Sequence, residues 1–110
     1  MNWKVEFYDA KVFDGISDWP VHLRSKFAGI VALIKEIGPV EVGMPHIKPL
    51  GGGLFEIRVK GLEGIARALF CTKKGKIVFI ISEFIKKTQK TPKAEMEVAR
   101  RRMKEVKKDE

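Results

Sequence analysis

Two arginines stand where a basic side chain needs an explanation. Arg58 lies in Leu54-Phe55-Glu56-Ile57-Arg58-Val59-Lys60. Strand alternation puts Phe55, Ile57 and Val59 on one face and Glu56, Arg58 and Lys60 on the other. Arg67 lies in Ile65-Ala66-Arg67-Ala68-Leu69-Phe70-Cys71 and shares its face with Ile65, Leu69 and Cys71. A cation inside an apolar row needs a carboxylate or opens onto an anion site, because an unpaired buried charge is costly. Glu56 and Glu83 are the candidate structural partners, and nearby cations make a phosphate the other choice. Further on, Ser82-Glu83-Phe84-Ile85-Lys86-Lys87 carries two lysines out of the end of an apolar strand. These cations can reach the same sheet edge as Arg58 and Arg67, with Phe84 as a nearby ring. Cations for phosphates and an aromatic for a base are what single-stranded RNA recognition requires. Lys48, Lys60 and Lys90 extend the basic field, and His46 joins it if its loop folds over the basic face.

The charge balance agrees. The chain has 110 residues and a net charge of +8, with 22 Lys and Arg against 14 Asp and Glu. Residues 1–50 are neutral, so the whole excess lies in residues 51–110. Such a balance suggests a polyanionic partner. Several other classes are excluded. One cysteine, Cys71, allows no internal disulfide and no multi-cysteine zinc site. His22 and His46 lack metal-ligand spacing with acidic neighbours, so neither a metal nor another cofactor is expected. Gly51-Gly52-Gly53 lacks the Lys-Ser/Thr of a nucleotide loop and precedes a strand. No apolar run, Ile77–Ile81 included, approaches the roughly 18 residues that span a bilayer. With no apolar signal core after Met1, a cytoplasmic protein with no membrane partner is expected.

The elements that must position these side chains read as β-α-α-β-β-β-α. Trp3–Tyr8 alternates like a half-buried strand, and Ala10–Ile16 is a weak helix containing Gly15. After Trp19-Pro20, a helical stripe runs through Leu23, Phe27, Ile30, Ile34 and Ile37 and stops at Gly38-Pro39. Residues 40–53, with four glycines and two prolines, read as a loop. Strands 54–60, 65–71 and 77–81 then form an antiparallel meander, the last apolar on both faces. Thr91-Pro92 opens a final helix as its N-cap and first-turn proline, with a narrow stripe of Met96, Ala99, Met103 and Val106. The expected fold is α+β: one domain over residues 1–110, its antiparallel sheet packed by helices on one face.

Three segments resemble the RelE/ParE superfamily, and most of all its phage-derived, HigB-like branch. They are Pro49–Arg58, Ile65–Phe70 and Phe84-Ile85-Lys86-Lys87-Thr88-Gln89-Lys90-Thr91-Pro92, the last being the most specific. The resemblance covers most of the chain and has the elements in the family's order. It implies a RelE-like fold and the toxin of a type II toxin–antitoxin module. RelE- and HigB-like members cut mRNA in the ribosomal A site and inhibit translation, whereas ParE-like members poison DNA gyrase.

By position, Arg58 resembles the basic residue of the first meander strand, and Arg67 the arginine that holds the scissile phosphate. Lys86 and Lys87 resemble the basic pair ending the last strand. Glu56 stands where RelE has a lysine, and no residue matches RelE's C-terminal tyrosine. The implied reaction is metal-independent attack of the RNA 2′-OH on the adjacent phosphate, giving a 2′,3′-cyclic phosphate. Its base is Lys86, Lys87, a carboxylate or His46. The alternatives are gyrase inhibition without RNA cleavage, or RNA binding by an inactive relative. The implied partners are mRNA on the ribosome and an antitoxin of helix-turn-helix type. The narrow stripe of the final helix suggests that it is loosely held or part of the antitoxin contact.

Overall fold

Asp9 starts the first helix by accepting a hydrogen bond from the Val12 backbone N–H at 2.9 Å, and Gly38, at φ 85°, ends the second. In the computed structural model, which describes residues 2–86, 91–108 and 110, the elements follow in this order. They are β1 (Lys4–Phe7), α1 (Ala10–Ser17), α2 (Val21–Ile37), α3 (Pro39–Val42), β2 (Ile47–Gly51), β3 (Leu54–Gly61), β4 (Gly64–Lys73), β5 (Ile77–Lys86) and α4 (Lys93–Lys108). They build one five-stranded sheet in the order β1-β5-β4-β3-β2, antiparallel except for the parallel pair β1–β5. The mixed α+β fold is the one expected, with two additions in the stretch read as a loop. Pro39–Val42 is a short helix, and Ile47–Gly51 is an edge strand paired with β3. Pro49 disguised that strand, yet an edge strand tolerates proline because one row of its N–H groups has no ladder to join.

The first face of the sheet carries Ile57, Val59, Ala66, Ala68, Phe70, Val78 and Ile80. Against it pack Val12 and Ile16 of α1, Trp19, and Leu23, Phe27, Ile30 and Ile34 of α2. The α2 stripe is the expected one up to Ile34, but Ile37 remains 49% exposed, so the stripe ends one position early. Gly15 interrupts α1 for a packing reason. A Cβ there would run into the Glu83 carboxylate, which accepts a hydrogen bond from the buried Trp19 indole N–H at 2.8 Å.

The second face is covered too, and this corrects the expectation of helices on one face. Leu54, Leu69, Cys71, Ile81 and Phe84 form a second core with Ala99 and Val106 of α4, flanked by Met96 and Met103. The apolar run Ile77–Ile81 requires such double cover, since Val78 and Ile80 point to one layer and Ile81 to the other. The narrow stripe is the one the sequence shows, but α4 is not loosely held. Arg100 donates to the Gly51 and Leu50 carbonyls, both at 3.1 Å, and Lys107 donates to the Thr72 carbonyl at 2.5 Å. Arg102 donates to the Ile81 carbonyl at 2.7 Å and lies 4.7 Å over the Tyr8 ring, whose hydroxyl donates to Glu105 at 2.6 Å. Basic side chains that pattern alone assigns to solvent thus fasten the helix to the sheet.

Gly15→Ala tests the Glu83 contact. Alanine normally improves a helix by about 0.5–1 kcal/mol. Here it displaces Glu83 and strips the buried indole of its acceptor, so a net loss of about 1 kcal/mol is expected in denaturant unfolding. In a Glu83→Ala background the same change is expected to become stabilising.

Candidate active site

The register of the three long strands builds the site. Arg58 of β3 lies directly opposite Arg67 of β4, and Arg67 opposite Phe84 of β5. In the neighbouring rows, Glu56 faces Leu69 and Leu69 faces Ser82, while Lys60 faces Ile65 and Ile65 faces Lys86. All these side chains share the face covered by α4. A bulge decides this for β5. Leu69 pairs with Ser82 but Phe70 pairs with Ile80, leaving Ile81 as an extra residue. The extra residue inverts the parity of the strand beyond it. Without the bulge, Lys86 would share the face of Val78 and Ile80; with it, Lys86 comes to the face of Arg67. The Ile81 carbonyl at the bulge is the one that takes the Arg102 guanidinium.

Both arginines converge on one carboxylate. Arg58 Nε lies 3.5 Å and Arg67 Nε 3.6 Å from the same oxygen, Glu56 Oε1. The Thr91 hydroxyl, two residues before α4, donates to Glu56 Oε2 at 3.1 Å. Arg67 Nη1 donates to the Ala66 carbonyl at 3.0 Å. Glu56 and Arg67 are each only 2% exposed and Lys86 5%, whereas the Arg58 side chain is 25% exposed. The Nε–H groups of both arginines and the Ser82 hydroxyl are buried and have no hydrogen-bond partner among the described residues. Burial, opposed by Glu56, pulls the Arg67 pKa below its ordinary value. Burial and then the charge of Arg67 pull Lys86 down as well, with Arg58 and Lys48 adding to the effect and Glu56 opposing it.

Access comes from the edge of the sheet. Because β2 begins only at Ile47, the Arg58 end of β3 is bordered by a groove of about 670 Å³. Lys26, Ile30 and Leu33 of α2 line one side; Pro45, His46, Arg58, Lys60 and Arg67 line the other. The Arg58 backbone N–H donates to the His46 carbonyl at 2.7 Å, which holds the loop at the groove.

Arg58, Arg67, Lys86, Lys60, Lys48 and His46 therefore come to one end of the sheet, as the strand pattern requires. Of the two carboxylates offered as structural partner, Glu56 fills that place; Glu83 points to the other face and bonds Trp19. Phe84 departs from expectation. It shares the Arg67 face but is 8% exposed in the second core, so it packs under the site instead of offering its ring to a base. Thr91 also departs, since its hydroxyl serves Glu56 and the Pro92 carbonyl accepts the Met96 N–H of the first helical turn. Lys87 and Lys90 lie outside the described residues. Sequence reasoning missed Ser82, Lys26 and the role of Thr91, for each depends on neighbours distant in the chain. Among the described residues, no group of three or more His, Cys, Asp or Glu side chains is placed to hold a metal ion.

The phage-derived Gp49-like protein family matches residues 14–104, from within α1 to within α4. The chain belongs to that family. The matched region of this Gp49-like chain contains every described residue of the site. Among solved structures, a chain of the archaeal RelE–RelB complex from Pyrococcus horikoshii OT3 has the same fold. The TM-score is 0.57 at 19% identity, with 77% of this chain and 96% of that chain covered. No curated protein sequence matches the chain. No described helix of the Gp49-like chain is long and apolar enough to cross a membrane.

The Lys86 environment has a measurable consequence for stability. A lysine whose pKa falls on folding costs stability while charged, and the cost fades as pH rises from its folded pKa toward 10.5. The stability of the wild-type protein relative to Lys86→Met is therefore expected to rise in denaturant melts as the pH is raised toward 10.5.

Proposed function

We propose that the chain is the toxin of a type II toxin–antitoxin pair, of the HigB-like branch, and that it cuts mRNA on the ribosome without a metal ion. One observation carries this reading: two arginines, paired across β3 and β4, hold buried Nε–H donors that have no hydrogen-bond partner among the described residues, beside a basic groove. A phosphodiester offers several oxygens to such donors, and guanidinium groups bind phosphate through directed hydrogen bonds. In the proposed reaction the RNA 2′-oxygen bonds to the adjacent phosphorus, the bond to the 5′-oxygen breaks, and a 2′,3′-cyclic phosphate remains. Arg67 and Arg58 stabilise the charge that grows on the non-bridging oxygens. One group must take the 2′-OH proton and another must protonate the leaving 5′-oxygen. Lys86, held toward the neutral amine by burial and Arg67, and His46, at the groove, are the groups we assign to these transfers.

The fold neighbour comes from a RelE–RelB complex, and an antitoxin is the partner proposed for this chain. A helix-turn-helix protein with an acidic segment would complement the +8 charge. Lys48 and Lys60, exposed on the flanking strands, are proposed as contacts to the RNA backbone.

The test is induction followed by primer extension on cellular mRNA, repeated with purified ribosomes and with EDTA. Cleavage is expected only with ribosomes present, and undiminished by chelation. Arg67→Gln, and separately Arg58→Gln, is expected to lose about 10²–10³ in rate while circular dichroism shows a folded protein. Full cleavage by folded Arg67→Gln would overturn the assignment. Intact mRNA together with a DNA-damage response would transfer the chain to the gyrase-inhibiting class.

A further inference from the structure

We infer that Glu56 is a built-in competitor for the phosphodiester: it occupies the anion position between Arg58 and Arg67 in the free protein and weakens the hold on RNA. The inference rests on the reading that these arginines bind a phosphodiester, and it adds what sets their affinity.

The argument begins with distances. Charged N–H···O pairs settle near 2.7–2.9 Å when nothing prevents it. Glu56 Oε1 lies 3.5 and 3.6 Å from the two Nε atoms, midway between donors and hydrogen-bonded to neither. Glu56 is anchored on β3 two residues before Arg58, and its other oxygen is engaged by Thr91. A carboxylate oxygen can accept two hydrogen bonds, but from its tethered position Oε1 makes neither, whereas a phosphate has an oxygen to place on each donor. The carboxylate thus supplies charge balance and leaves the directed hydrogen bonds for another anion.

The surroundings agree with a competitor that can yield. Arg67 is 2% exposed and needs a negative neighbour while the site is empty. Once a phosphate takes over, Glu56 keeps the Thr91 hydroxyl and the field of Lys86, and Lys48 lies opposite it on β2. Among the described residues, three cations, Lys48, Arg58 and Arg67, surround this one carboxylate, which leaves room for a second anion. The negative charge of Glu56 nonetheless opposes that anion at close range, which lowers affinity and favours release of a cut strand.

The experiment compares the full-length wild-type protein with Glu56→Gln. The ligands are inorganic phosphate and a short 2′-O-methyl RNA that cannot be cleaved. Affinity is measured by calorimetry at low salt, and the arginine Nε–H signals are followed by NMR. Glu56→Gln is expected to bind both ligands about tenfold more tightly, a difference of about 1.4 kcal/mol. Phosphate is also expected to raise its melting temperature more than that of wild type. Adding Arg67→Gln should erase the gain. In wild type, phosphate should shift both the Arg58 and the Arg67 Nε–H resonances. The wild-type arm stands even if Glu56→Gln folds poorly, and Glu56→Asp then serves as the folded variant, with intermediate affinity expected.

Equal or weaker phosphate binding by a folded Glu56→Gln protein, or silent Arg58 and Arg67 resonances in wild type, would overturn the inference. So would tightening toward the RNA alone, which would put the competition outside the arginine pair. The two readings fail separately. A protein that cuts no RNA can still show the phosphate competition, and an active nuclease can still bind phosphate equally with and without Glu56.

Discussion

The charge of Arg67 has to be balanced inside the sheet, because the side chain is almost wholly withdrawn from water. A cation so placed fixes much of what surrounds it. It requires a carboxylate on the neighbouring strand, which Glu56 provides through the β3–β4 register. That same carboxylate is shared with Arg58 and tied to Thr91, so the approach to α4 is coupled to the arginine pair. Lys86 then adds a further cation where burial and Arg67 already disfavour charge. An apolar triad in these positions would hold the sheet together at no electrostatic cost. Retaining charge there makes sense for a surface that meets an anion.

The division of the second face follows from this. Where the strands present Leu54, Leu69, Cys71 and Ile81, α4 covers them; where they present Arg58 and Arg67, the described surroundings are the Thr91 hydroxyl on Glu56 and a groove at the sheet edge. Arg102 and Arg100 hold the helix in place through backbone carbonyls and leave its apolar stripe narrow. Membership of the Gp49-like family and the RelE–RelB fold neighbour agree with this architecture.

Much of this was legible in the residues. Alternation in 54–60 and 65–71 put Glu56 and Arg58 on one face and exposed Arg67 as a cation among apolar neighbours. The α2 stripe and its Gly38-Pro39 stop were equally plain. What escaped depends on partners far apart in the chain. A five-residue edge strand containing Pro49 carries no periodic signal of its own and exists because β3 offers it a ladder. The choice between Glu56 and Glu83 turns on face parity, and the Ile81 bulge, invisible to a count of alternating residues, sets that parity beyond it. The burial of Phe84 has the same origin. Double cover of the sheet could have been argued from Ile77–Ile81, since a strand apolar on both sides needs a layer on each.

The parallel pairing of β1 with β5 sets an order of assembly. Lys4–Phe7 leave the ribosome before their hydrogen-bonding neighbours, Ile77–Ile80, which emerge only after α1–α3 and β2–β4 have been made. Contacts between such distant segments form late, because a long loop must close before they yield anything. Arg58 and Arg67 likewise gain Lys86 only when β5 has arrived. A nascent chain therefore lacks both its completed sheet and its full set of cations until β5 has emerged. For a protein proposed to attack mRNA on ribosomes, the basic site is thus incomplete while only β1–β4 have emerged.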